Sequence, residues 1–453
     1  MQKTVEGLRH DAAALRTFIE YLRDFCEEQE KSQAYGPASR QFFEYVRLLG
    51  DVTLAYLQPF VEEASNYSTN ALLFAVQRQK LVAIKKCWSV LHEYIKPAAD
   101  AHSLTVPTPL VDLLENQAKR IHGIPSPSLV ISATNKVNYF QHPLGNLQEL
   151  AKNLKKTVPN APDLPSGLVF ISIPYTQGSA VFTNAIMFHE FGHFVFHELD
   201  ISGQINQQIA QALLDVYQQR LSTMARPGVT FLYQTVLSWA QEMFCDLFAI
   251  SLIGPAYSFA SIDLFSLIGE LEASAVVNFG DAHPCDALRF REQLQMLKTA
   301  KWWDEVSTLK CEHVSLIEEL ASYPETKYSY APQPELVEVF KTITHLLAPL
   351  VQQVCSKVDN GLTDFLKWNQ GIQDAFANGV VPSTIYRNAV REHPSPLAIL
   401  NATWFFHLNS LDKLMAKIAG RSSENIKDRS SLSSRLEMWA MKAMEDNRLL
   451  SNI

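Results

Sequence analysis

The sequence predicts a mainly α protein carrying a small β-sheet, an α+β arrangement. Three observations lead there. Apolar residues recur at helical spacing through both ends of the chain, short β-like runs cluster between residues 128 and 175, and no repeat or low-complexity tract interrupts either. With 453 residues, of which 47% are hydrophobic and 19% charged, the chain can bury a large core in two or three structural units.

Along residues 5–26, Leu8, Ala12, Leu15, Phe18, Ile19, Leu22 and Phe25 mark one helix face. Similar stripes cover residues 41–63, 71–94 and 110–121, and at this spacing they are core rather than a cofactor box. Proline-rich residues 106–109 and 123–127 close this N-terminal helical region, residues 1–125. Residues 128–133, 137–140 and 168–175 then read as strands, the last fed by a loop over 158–166. An exposed edge at 168–175 would pair with an extended peptide, although a fully buried strand has the same composition. Residues 180–199 form an apolar helix between turn-formers at 177–178 and 200–203. A second apolar helix covers 238–250. After Arg291 the chain is helical again, broken at 323–324, 331–334 and 393–396, with Trp302-Trp303 and Trp404-Phe405-Phe406 assigned to core. Residues 126–295 are therefore a central core and 296–453 a C-terminal helical region.

A formal charge of −8 argues against nucleic acid and anionic membrane surfaces as partners. The six cysteines are far apart with no C-x-x-C pair, which suits free thiols in a reducing compartment. Residues 1–10 lack a signal-peptide layout. The longest apolar candidate for a membrane span, residues 244–269, holds Asp246, Pro255 and Asp263, all costly in lipid. No membrane span and a cytoplasmic location are expected.

The most informative segment is His189-Glu190-Phe191-Gly192-His193. Residues i and i+4 share a helix face, so the two imidazoles point the same way, with Glu190 to one side. This H-E-x-x-H spacing suits a zinc ion held by two neutral histidines, with the glutamate as base. The bland reading is a buried helix that happens to carry these groups, but burying them is costly unless a metal satisfies them.

A catalytic zinc takes a third protein ligand. A histidine six residues after His193 is ruled out, because that position is Leu199 and the glycine position holds Phe196. His197 would have to reach back past His193 and more simply caps or packs near the helix end. Glu242 and Asp246 stand i, i+4 on the second apolar helix, where two carboxylates need a reason to be buried. Glu242 is the expected third ligand, and Asp246 would fix the tautomer of a ligating histidine.

These residues resemble the gluzincin zinc metallopeptidases. His283-Pro284 with Arg289 six residues after His283 resembles the corresponding segment of the HtpX and CAAX prenyl protease family. The resemblance covers residues 168–291 and implies a zincin-like metallopeptidase core flanked by helical regions. It also implies that His283 lies near the metal to stabilise the oxyanion, supported by Arg289. The chain departs from that family in having Cys245 where alanine is usual, Asp281-Ala282 before His283, and no expected membrane span. A soluble relative or a convergent gluzincin is expected, without prenylated substrates.

The expected function is zinc-dependent endopeptidase action on a protein or peptide. His189, His193 and Glu242 would hold Zn2+, Glu190 would be the general base, and His283 and Arg289 would be catalytic. A zinc-binding regulatory or sensing protein with little general proteolysis is the alternative. An accidental motif in a structural helical protein, and a non-peptide amide substrate, stay open.

Overall fold

The structure, a computed structural model, describes residues 2–62, 71–101, 106–134, 138–142, 145–174, 180–217, 226–268, 283–322, 335–387, 390–419 and 428–450. In chain order it begins with α1 (Gln2–Glu30), α2 (Pro37–Glu62), α3 (Ala71–Asp100), α4 (Thr108–Ala118), β1 (Ser128–Thr134), β2 (Phe140–His142), α5 (Gly145–Thr157) and β3 (Leu168–Pro174). There follow α6 (Met187–Glu198), α7 (Ile201–Tyr217), α8 (Arg226–Ile253), α9 (Pro255–Ile268), α10 (Asp286–Thr299), α11 (Trp303–Val306) and α12 (Glu312–Ser322). The chain continues with α13 (Glu335–Val354), α14 (Leu362–Ala377), β4 (Ile385–Arg387), β5 (Val390–Glu392), α15 (Pro396–Ala419) and α16 (Arg429–Leu450). The protein is mainly α with a small mixed sheet, as its periodicity predicts.

Two compact units form from interleaved segments. One comprises Met1–Val106, Pro125–Lys136 and Phe140–Thr176, and the other Pro107–Ile124, Val137–Tyr139 and Gln177–Ile453. Residues 126–295 thus contribute the sheet of the first unit and several helices of the second.

In the first unit, Leu8, Ala12, Leu15, Ile19, Leu22 and Cys26 form the buried stripe of α1, alternating four and three residues apart. The buried face of α2 and Ile84, Trp88, Leu91 and Ile95 of α3 complete the helical part of the core. Phe42 and Tyr94 set their rings edge-on to Phe170 of β3, at 5.0 and 5.4 Å, tying helices to sheet. The strand order is β1-β3-β2, with β1 parallel and β2 antiparallel to β3. This corrects the expectation of a peptide-binding edge at 168–175. β3 is the middle strand, buried along its whole length, and its centre is paired on both sides. The strand expected at 137–140 instead covers Phe140–His142. Val137, Tyr175, the turn at 177–178, Asp281-Ala282 and the breaks at 323–324 and 331–334 lie outside the described residues.

In the second unit, the apolar run at 180–199 divides into a 3₁₀ turn, Thr183–Ile186, and α6. Glu437 of α16 accepts the N–H groups of Val181 and Phe182, at 2.5 and 3.2 Å, and so anchors the entry to that turn. α6 lies against α8 through Phe191 with Phe248 and Phe196 with Phe244. The two helices pack tightly at Gly192, where a Cβ would come 3.0 Å from Cys245 Cα. α8 stops at Gly254 (φ +64°), where a Cβ would strike the Trp302 ring at 2.6 Å. Residues 244–268 of the apolar stretch therefore fall in two helices with a left-handed break between them. Among the described residues, Thr230–Ile253 is the one helix long and apolar enough to cross a membrane, and 78% of its most apolar window is buried in the fold. The hairpin β4–β5 was not expected, since three-residue strands leave no readable alternation.

Two outcomes follow from this packing. Gly192→Ala should cost about 1–3 kcal/mol, because the new methyl meets both the backbone and the side chain of fully buried Cys245 at 3.0–3.1 Å. Chemical denaturation measures it, and an unchanged midpoint would show that α6 and α8 can part freely. The second concerns His407 in α15, whose ring lies 4.6 Å from that of Phe182 at a tilt of 47° and 3.3 Å from the Ser433 hydroxyl, with Asp263, Arg429, His313 and Asp412 as ionisable neighbours. Burial pushes its pKa down to about 4. An unfolded histidine titrates near 6.5, so the unfolded chain takes up this proton first as pH falls. Its contribution is complete above about pH 6.5 and is lost toward about pH 4, by up to about 3 kcal/mol. His407→Phe should flatten stability against pH across that window, and an unaltered slope in unfolding curves contradicts the assignment.

Candidate functional site

Four helices bring the site together within the second unit. α6 supplies His189, Glu190 and His193; α8 supplies Gln241, Glu242, Cys245 and Asp246; α9 supplies Tyr257; and α10 with the residues before it supplies Arg289 and His283. Helical spacing aims each set inward, since one turn separates His189 from His193 and Glu242 from Asp246.

His189 Nε2 and Glu242 Oε2 are 3.2 Å apart, and His193 Nε2 is 3.5 Å from Glu242 Oε1. The shorter approach lacks hydrogen-bond alignment, so Glu242 Oε2 is buried with no hydrogen-bond partner. On the far side of the ring, His189 Nδ1 lies 2.9 Å from Asp246 Oδ1 and 3.0 Å from the Tyr257 hydroxyl, which also donates to Asp246. Arg289 clamps Asp246 with Nε on Oδ2 and Nη2 on Oδ1, both at 2.7 Å, and Gln293 reaches the same carboxylate at 3.4 Å. Arg289 Nη2 is also 4.0 Å from Glu242 Oε2. His283 Nε2 approaches Glu242 Oε2 at 3.5 Å while its side chain stays 49% exposed, against 11% for Glu242. Glu190 is buried beside this group.

Burial works against every charge here and sets the scale that the pairings must overcome. It opposes ionisation of Asp246, yet the Arg289 charge and hydrogen bonds hold that carboxyl well below the usual range. Burial likewise opposes the Glu242 charge, but the imidazoles of His189 and His193 standing against its oxygens bring its pKa to about 2. His189 is lowered by burial and raised more by Asp246 and Glu242, reaching about 10, whereas burial carries His193 down to about 4. Burial first, then the carboxylates of Glu242, Glu190 and Asp246, keep the Cys245 thiol protonated.

His189, His193 and Cys245 place donor atoms within 4.8 Å of one another, so this buried group could hold a metal ion. The sequence brought forward the histidines, Glu242 and Asp246, and the structure gathers all four. Three neighbours escaped it. Cys245 stands three residues after Glu242, an i, i+3 relation that was present in the spacing. Gln241, whose amide lies 3.0 Å from His193 Nδ1 and 3.2 Å from His197 Nε2, adjoins Glu242 but carries no pattern. Tyr257 arrives from beyond the break at Gly254, where helical spacing ends.

Comparison with protein-family models, curated proteins and solved structures gave no match.

Arg289→Met should cost about 3–5 kcal/mol, since it leaves Asp246 charged and unpaired in the interior. Removing both partners, Arg289→Met with Asp246→Leu, should recover much of that loss. Denaturant titration compares the two, and a single-variant loss below about 1 kcal/mol would show that the pair is not structurally engaged.

Proposed function

We propose that the chain is a zinc-dependent endopeptidase of the gluzincin type, with His189, His193 and Glu242 as the residues that hold the metal. The observation carrying this is the convergence of both Nε2 atoms on the Glu242 carboxylate at 3.2 and 3.5 Å, with one oxygen buried and without a hydrogen-bond partner. Ligands about 2.05 Å from a tetrahedral zinc stand roughly 3.3 Å from one another. Cys245 Sγ lies within 4.8 Å of the donor nitrogens of both histidines, close enough to be an additional donor. Two imidazoles and a carboxylate are a donor set that suits zinc. A divalent cation taking the place of the His189 proton would leave Glu242, Asp246 and Glu190 balanced against the metal and Arg289.

Zinc, when bound, supplies a Lewis acid that polarises the scissile carbonyl and makes an attacking water acidic near neutral pH. The chain's own groups do the rest. Glu190 takes the water's proton and passes it to the leaving amine. His283, at the exposed rim, donates to the oxygen on which negative charge develops. Asp246 and Tyr257 orient His189 through Nδ1, and Arg289 acts through Asp246. Gln241 does the same for His193 with its amide oxygen turned toward Nδ1, an orientation that leaves the heavy atoms in place. Unpaired cysteines suit a reducing compartment, and we place the activity in the cytoplasm.

A second reading, a zinc-binding sensor with little proteolysis, draws support from Cys245, because closed four-ligand sites are structural. The test separates the two. Purified wild-type chain should carry near-stoichiometric zinc by elemental analysis, and His193→Ala should lose it. Glu190→Gln should keep the metal while cleavage of a peptide library drops at least about 100-fold. Wild type that holds zinc but cleaves nothing favours the sensor. Full activity in Glu190→Gln removes Glu190 as the base.

A further inference from the structure

Cys245 stands apart from the three donors that the peptidase reading uses. It is fully buried on α8, one turn after Glu242, with Sγ in the same small region as the donor nitrogens of His189 and His193. Nothing on α6 screens it. The residue between those histidines is Gly192, and a Cβ there would lie 3.1 Å from Cys245 Sγ. Any side chain at 192 would press on the thiol. A glycine on one helix and a sulfur facing it on the other leave a soft donor beside a harder N and O set.

We propose that Cys245 is a reserve fourth donor, so that one pair of histidines serves two coordination states. With a borderline cation such as zinc, His189, His193 and Glu242 bind and one position stays open for chemistry. With a thiophilic cation such as cadmium, the sulfur joins the same donors as a fourth ligand. The Cys245 proton passes to solvent as the sulfur–metal bond forms, and the closed set leaves no place for water. The site is then hydrolytically silent, and the softness of the cation selects between states. This rests on the metal-site reading above.

The experiment titrates the full chain and Cys245→Ala with cobalt and with cadmium. Both proteins should bind cobalt, seen in its visible d–d bands, with affinities within about threefold. Cadmium should give an ultraviolet thiolate charge-transfer band in wild type that Cys245→Ala lacks, and the variant should bind it at least about tenfold more weakly. Cys245→Ser serves as the second variant if alanine fails to fold. Cobalt binding with no cadmium–thiolate band, or with equal cadmium affinity in the variants, overturns the reserve-donor role and leaves the metal site standing. A chain that binds neither ion overturns both.

Discussion

Asp246 is the constraint on which the site depends. It is 2% exposed, and groups from α6, α9 and α10 close on it where it stands on α8. Desolvating a carboxylate so deeply is tolerable only when opposite charge and well-directed donors surround it. Arg289 provides two parallel hydrogen bonds, the arrangement in which a guanidinium interacts most strongly with a carboxylate. Once that pair is fixed, the remaining Asp246 acceptor capacity is shared by His189, Tyr257 and Gln293, and the His189 contact fixes the plane of that ring. The direction of His189 Nε2 is thus set by an ion pair on its opposite side.

The same network explains how α8 can be both apolar and charged. Trp239, Met243, Phe244, Leu247 and Phe248 are buried on the rest of the helix, while its two acids, Glu242 and Asp246, stand one turn apart on a shared face. The face is held against α6 because Gly192 lets the backbones approach, and this proximity is what lets Glu242 reach both histidines. Lengthening the gap by a single methyl group would act on every distance in the site together. Packing and electrostatics are coupled here: close approach produces the short N–O separations, and those separations make the buried charges tolerable.

The helical core and much of the site could be read from the sequence because both rest on periodicity. His189 with His193 and Glu242 with Asp246 are each one turn apart, and apolar neighbours forced the question of what satisfies them. Arg289 was different. Its helix has few long apolar stretches, and only its resemblance to a family segment singled it out, with a partner other than the one found in Asp246. Tyr257 and Gln241 are joined to the histidines by tertiary geometry alone. The central placement of β3 was also unreadable, since a strand buried on both faces has the same composition whether one or both of its edges are paired. The break at Gly254 was within reach, because a Gly-Pro step ends a helix, but the surrounding apolar run concealed it.

The distribution of exposure across the site carries the last argument. His189, Glu242, Asp246 and Arg289 are nearly sealed from solvent, whereas half of the His283 side chain is open. Groups that must hold a fixed geometry gain from burial, which stiffens them and strengthens their hydrogen bonds. A group that meets a substrate must be reachable, and it pays for access with weaker positioning. A purely structural metal centre has no use for a half-exposed imidazole 3.5 Å from its buried carboxylate. A hydrolytic centre does, because charge develops on the side from which the substrate enters. His283 is therefore the residue whose placement weighs most between a catalytic and a structural reading of the same buried donors.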